Sequence, residues 1–174
     1  MGATRPLATE LLADAFGRVH EGVPSVVVGL APDDLLWRAG REANPIGWLI
    51  WHLTRVQDDH VADLGGVGQV WTTAGWYERF ALPYPVSAVG YGQSSIDVGA
   101  FVLPDPELLI DYHAATHAMT IGVIESLAED DYLRVVDDQW DPPVTAVVRL
   151  VSVVNDITQH LGQAAYVRGL LDGR

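Results

Sequence analysis

Four stretches of the chain carry apolar residues at helical spacing, separated by segments rich in Gly, Pro, Ser and aromatic residues. In the last stretch, Val153, Asp156, Ile157, His160 and Ala164 follow the i, i+3, i+4, i+7, i+11 progression of one helical face. This fourth helix is expected to begin near Asp141-Pro142-Pro143 or at Thr145, to reach about Leu171 and to stop at Gly173. The second helix opens at Asn44-Pro45, an N-cap residue followed by proline at the first helical position, and Gly65-Gly66 ends it. Its apolar repeat runs through Leu49, Leu53 and Val56. The third starts at Asp105-Pro106 and runs to about Ala128, and the first covers roughly residues 6 to 29. Gly22 and Pro24 are expected to kink or interrupt that first helix.

Four helices of this length in 174 residues make one domain, spanning 1–174, of the all-α class: a four-helix bundle. The stretch from Gly65 to Pro104 is a long connection between helices 2 and 3, and connections of that length in compact domains tend to be functional. A short helix is expected within it around Ser94 to Phe101, and a long crossover permits a topology other than simple up-down-up-down. Trp48, Trp51, Trp71 and Trp76 either line a pocket or, as aromatics at helical spacing more often do, fill the core or a dimer contact.

Composition narrows the function classes. With 49% apolar and 19% charged residues the chain is globular in type. No apolar run is long enough to span a bilayer and no secretory or myristoylation signal is evident, so a cytoplasmic protein without membrane attachment is expected. A net charge of −13, with no basic patch, argues against a nucleic-acid partner. The absence of cysteine excludes disulfides, thiolate ligands and cysteine nucleophiles. Any metal must therefore use imidazole and carboxylate, and any thiol chemistry must bring its thiol on a small-molecule substrate.

Asp156 and His160 stand four residues apart on an apolar stripe, so both point inward. A buried carboxylate is costly unless paired or bound to a cation. His52 shares a stripe with Leu49, Val56 and Asp59. If the second and fourth helices face each other, His52, Asp156 and His160 surround a common point as two imidazoles and one carboxylate. Such a set suits Zn²⁺, Ni²⁺, Fe²⁺ or Mn²⁺ and leaves coordination positions open. The competing reading is a hydrogen-bonded pair or solvated face at 156 and 160, with His52 a satisfied core histidine. Asp58, Asp59 and His60 are candidates for contacts behind the ligands or for a general base, Asp59 being the best oriented; a solvated acidic turn is the alternative. His113 and His117 also have i, i+4 spacing, but without a nearby carboxylate they are expected on a polar or pocket-rim face. His20, beside Glu21 at the expected interruption, receives no role. No Walker loop, dinucleotide fingerprint or nucleophile elbow is present.

The run N-D-I-T-Q-H-L-G-Q, Asn155 to Gln163, resembles the fourth-helix signature N-H-x-x-H-H-x-G-Q of the DinB-like superfamily. The segment from Gly47 to His60, G-W-L-I-W-H-L-T-R-V-Q-D-D-H, is similar to the family's second helix. Val70-Trp71 and Trp76 to Phe80 point to an actinobacterial branch. The resemblance spans nearly the whole chain. It implies an up-down-down-up bundle with a divalent metal held at His52, position 156 and His160. Asp stands at 156 where histidine is commoner; the mycothiol-dependent maleylpyruvate isomerase relatives carry a glutamate there, one methylene longer.

The functions this implies are a metal-dependent enzyme that activates a low-molecular-weight thiol, of S-transferase or isomerase type, or a hydrolase using metal-bound water. A non-catalytic metal- or ligand-binding bundle is the contrasting class. A homodimer is a further expectation from the resemblance.

Overall fold

The computed structural model describes residues 6–173. Eight helices occur among them, four of them long: α1 (Leu7–Val27), α3 (Ile46–Gly65), α7 (Glu107–Ser126) and α8 (Ala146–Asp172). The short ones are α2 (Pro32–Leu36), α4 (Val70–Thr73), α5 (Trp76–Phe80) and α6 (Ser95–Gly99). A 3₁₀ turn at Glu129–Leu133 precedes a two-stranded antiparallel hairpin, β1 (Val135–Asp137) with β2 (Val144–Thr145), which the sequence pattern does not announce.

Contacts between the long helices set their directions. Arg55 meets Tyr112, Gln57 meets Thr120 and Gly65 packs on Val123, so α3 and α7 run parallel. His52 meets His160 while Val56 and Val153 line one cleft, so α3 and α8 are antiparallel. Gly22 abuts Leu161 and Arg168 donates to the Val28 carbonyl, which makes α1 parallel to α8. The result is the up-down-down-up bundle, with α1 and α3 on the diagonal. No helix among the described residues is long and apolar enough to cross a membrane.

Helix ends follow local chemistry, with small shifts from expectation. The cap of α3 is Pro45 rather than Asn44, and Gly66 in the left-handed conformation closes the helix, with Val67 N–H bonded to the Ala62 carbonyl. The Asp105 carboxylate accepts the Glu107 N–H, as a capping side chain does at the start of α7, and α7 ends at Ser126 rather than Ala128. Ser94 caps α6 by accepting from the Asp97 N–H. The expected break in α1 does not occur: the helix is continuous through Gly22 and Pro24. Pro24 lies in the last turn, where it forfeits one intrahelical bond. At Gly22 a Cβ would fall 2.6 Å from the Leu161 side chain, so glycine there permits close approach of α1 and α8.

The long connection is folded down by one buried ion pair. Asp58 and Arg55 are fully buried, with Arg55 Nη1 3.5 Å from Asp58 Oδ2. The Asp58 carboxylate accepts the N–H groups of Val70 and Trp71, at the start of α4, and the Tyr112 hydroxyl. Arg55 donates to the Ala88 carbonyl and lies 5.0 Å from the Trp71 ring centroid. Burial pushes the Asp58 carboxyl up, against the hydrogen bonds and the Arg55 charge that hold it down. This residue is therefore an anchor for the crossover and not part of a solvated turn. Around it, Trp51, Trp71, Phe80, Tyr84, Phe101 and Tyr112 form an aromatic layer, so the tryptophans singled out above serve the core.

Candidate metal centre

His52 projects from the middle of α3 toward α8, and its side chain is only 4% exposed. Its Nδ1 donates to the Val89 carbonyl in the crossover. That bond fixes the tautomer and leaves the Nε2 lone pair free. One face of the ring stacks on Trp48, at 4.7 Å between centroids, and Trp48 is itself held by donation from Nε1 to Gln93 Oε1. Gly90 closes the cradle. Its φ is +94°, a conformation costly for a side chain, and a Cβ there would lie 2.7 Å from His52 Nδ1 and 3.0 Å from Trp48.

From α8, one turn apart, come Asp156 and His160. The His160 Nδ1 donates to Gln163 Oε1 at 3.0 Å, and its Nε2 sits 3.6 Å from Asp156 Oδ1. The His52 and His160 rings meet edge to face, 4.6 Å between centroids. One ligand-type atom from each of His52, Asp156 and His160 lies within 4.8 Å of the other two. The second carboxylate oxygen, Asp156 Oδ2, is buried without a hydrogen-bond partner. Buried carboxylate oxygens are rarely left so.

Burial and the pairing of Asp156 with His160 set the electrostatics of the group. Burial depresses the His52 pKa, outweighing the Val89 bond, so the ring is kept neutral with its lone pair available. Burial alone would raise the Asp156 carboxyl, but His160 beside it, with smaller help from His52 and His60, holds it below the ordinary value. His160 is raised by Asp156 in return, against its own burial. Two imidazole nitrogens and an ionised carboxylate suit a divalent transition metal, and three ligands leave room for a further molecule. The group is thus assembled as the α8 spacing and the His52 stripe lead one to expect.

Asp59 and His60 lie about two turns beyond His52 along α3. Asp59 accepts from Gln69 Nε2 and lies 3.9 Å from His60 Nδ1, and both line a cleft with Asp156. Burial, then Arg149, lowers the His60 pKa. Neither residue supports the ligand rings. Those supports are the Val89 carbonyl and Gln163, which the spacing of the sequence does not reveal.

His113 and His117 are not on a pocket rim. His113 is 1% exposed; its Nδ1 donates to the Thr54 hydroxyl, which passes its own proton to the Ile50 carbonyl. His20 from α1 stacks flat on His117, 4.3 Å between centroids, and lies 5.6 Å from His113. Burial drives the His113 pKa down to about 3, with His20 and His117 adding to the shift. The column is a stack of imidazole rings across the α1–α7 interface.

Comparison with known proteins bears on the fold and the family. No curated protein matches the chain. Among solved structures, the crystal structure of a conserved protein from Enterococcus faecalis superposes with a TM-score of 0.91 at 30% sequence identity, covering 99% of this chain and 100% of that one. The family model for mycothiol-S-transferase matches residues 11–173. With a match over almost its whole length, the chain belongs to the mycothiol-S-transferase family, a DinB-like family.

Proposed function

We propose that the protein is a metal-dependent thiol S-transferase acting with a low-molecular-weight thiol of the mycothiol type. The observation that carries the metal is the orphaned, buried Oδ2 of Asp156 beside two imidazoles whose outer nitrogens are already engaged. His52, Asp156 and His160 would hold the ion, with Zn²⁺, Ni²⁺, Fe²⁺ and Mn²⁺ all compatible with this donor set. Aspartate reaches less far than glutamate, so Asp156 would offer its carboxylate close to the α8 backbone. When bound, a divalent cation lowers the pKa of a ligated thiol and presents it as a thiolate at neutral pH.

The chain's own residues do the rest. Val89, Gly90 and Trp48 hold the His52 ring still. Gln163 orients His160. His60, neutral and facing the cleft, is placed to take the thiol proton, and Asp59 beside it to steady the resulting charge. A cysteine-free chain cannot supply the nucleophile, which fits a borrowed thiol. Reduced low-molecular-weight thiols are kept in the cytoplasm, and that is the compartment this reading assigns.

Elemental analysis of protein purified without an affinity tag, before and after incubation with Zn²⁺ or Ni²⁺, tests the metal. About one ion per chain is expected. A metal-free protein after both incubations would refute the site. Turnover of mycothiol with an electrophile, against ester or amide cleavage without thiol, tests the reaction; cleavage without thiol dependence would point to a hydrolase instead.

A further inference from the structure

Beside Asp156 a cleft of about 460 Å³ opens between α3, α8, the crossover and the hairpin. Its floor is apolar, formed by Val56, Val89 and Val153. Two aromatic side chains from separate segments line the same cleft: Tyr91, 90% exposed, and Trp140, 67% exposed. Neither serves the core. Trp48, Trp51, Trp71 and Trp76 are all buried and Trp37 is partly so, which makes Trp140 the outlier among the six. Both sit in connections that frame the cleft. Tyr91 sits between Gly90 and Gly92, both at positive φ, and directly follows the glycine that packs on His52. Trp140 lies in the connection of the β1–β2 hairpin, whose Asp137 is bonded at 2.8 Å to Arg149 of α8.

The charges around the cleft define what enters it. Asp59 and Asp156 line it, Arg149 is neutralised by Asp137, and the chain as a whole carries −13. A bound cation would offset Asp156, but Asp59 and the charge of the whole chain still oppose an anionic ligand. A flat apolar ligand finds an apolar floor and two π faces.

We propose that this cleft is the binding site of the electrophile, and that Tyr91 and Trp140 select a neutral, flat, unsaturated molecule. This rests on the transferase reading given above. For an aryl chloride the step balances without a redox partner. The thiol sulfur forms a C–S bond at the ring carbon, the C–Cl bond breaks, chloride leaves with its electron pair, and the thiol proton passes by way of His60 to the buffer.

Two measurements on the metal-loaded protein test it. The first needs no turnover: the unreactive 1,3-dinitrobenzene is titrated against tryptophan fluorescence, in which Trp140 is the accessible emitter. Saturable quenching is expected, with a dissociation constant roughly five- to tenfold weaker in Tyr91→Ala, as for the loss of one aromatic contact. The second uses 1-chloro-2,4-dinitrobenzene with mycothiol. Trp140→Ala and Tyr91→Ala should raise KM for the aryl chloride about five- to tenfold, leaving KM for the thiol and the metal content unchanged. The anionic 4-chloro-3,5-dinitrobenzoate should be the poorer substrate for the wild type. Because both side chains are exposed, the variants should fold normally. Non-saturating quenching that is identical in Tyr91→Ala, or unchanged KM in both variants, would overturn the cleft assignment while the transferase reading stands. Saturable binding with no thiol transfer would instead overturn the transferase reading and leave the preference of the cleft for flat neutral ligands intact.

Discussion

The imidazole of His52 and the carbonyl of Val89 are joined by a hydrogen bond that ties a candidate metal ligand on α3 to the crossover. The residue after Val89 is the glycine whose absent side chain lets the crossover lie against the ring. Gly90→Ala should therefore act on His52 without touching a ligand. Disturbing a ligand's outer hydrogen bond commonly costs about ten- to a hundredfold in metal affinity. Chelator competition should show a loss of that size; wild-type affinity in this variant would mean that the cradle does not matter.

The ligand set predicts a ranking. His52→Ala and His160→Ala should each be purified with far less metal than wild type, while His113→Ala should retain it. Asp156→Asn, which removes the charge but keeps the shape, should fall between these. Equal stoichiometry in all four, measured by elemental analysis, would break the assignment.

How much of this was legible beforehand depends on how far apart the partners lie in the chain. Asp156 and His160 are one turn apart, so helical period alone puts them together, and His52 needed only the further assumption that α3 faces α8. Asp58 was not legible. Period arithmetic favours its neighbour Asp59, seven residues beyond His52, whereas the partners of Asp58 are backbone groups in α4 and a hydroxyl on α7 that no local pattern exposes. The imidazole column failed for a similar reason: His113 and His117 announce themselves by spacing, but His20 reaches them from another helix. The break expected in α1 at Gly22 was a misreading of a packing requirement as a conformational one.

The buried pair of Arg55 and Asp58 should dominate stability in the crossover region. Removing one partner leaves the other charge buried and unpaired, which typically costs about 3–5 kcal/mol. Asp58→Ala should show that loss in urea denaturation, whereas Tyr112→Phe, which deletes the hydroxyl's bonds to Asp58 and Arg55 but leaves the ion pair in place, should lose less, about 1–3 kcal/mol. An Asp58→Ala protein as stable as wild type would rule out the anchoring role.

Acid should weaken the fold through His113. Its pKa is about 3 in the folded protein against the ordinary 6.5, so the unfolded chain binds the extra proton between those values. Stability supplied by the neutral ring is complete above about pH 6.5 and is lost as pH falls toward 3. The slope from one such group is at most about 1.4 kcal/mol per pH unit. His113→Asn keeps a donor toward Thr54 but cannot titrate. Urea midpoints at pH 7.5, 6 and 5 should converge for this variant and wild type as the pH drops; a constant offset would show that His113 is not the titrating group.

All three candidate ligands come from α3 and α8, while the crossover brings the Val89 carbonyl, Gly90, Tyr91 and Gln93 to the site. On the proposed reading, the ligands and the crossover's share of the selectivity are encoded in different stretches of the gene. If that reading holds, substitutions around Tyr91 should change the acceptor range without dismantling the ligand set, provided that Gly90 is spared. Grafting this loop between relatives is accordingly a practical route to exchanging their substrate ranges.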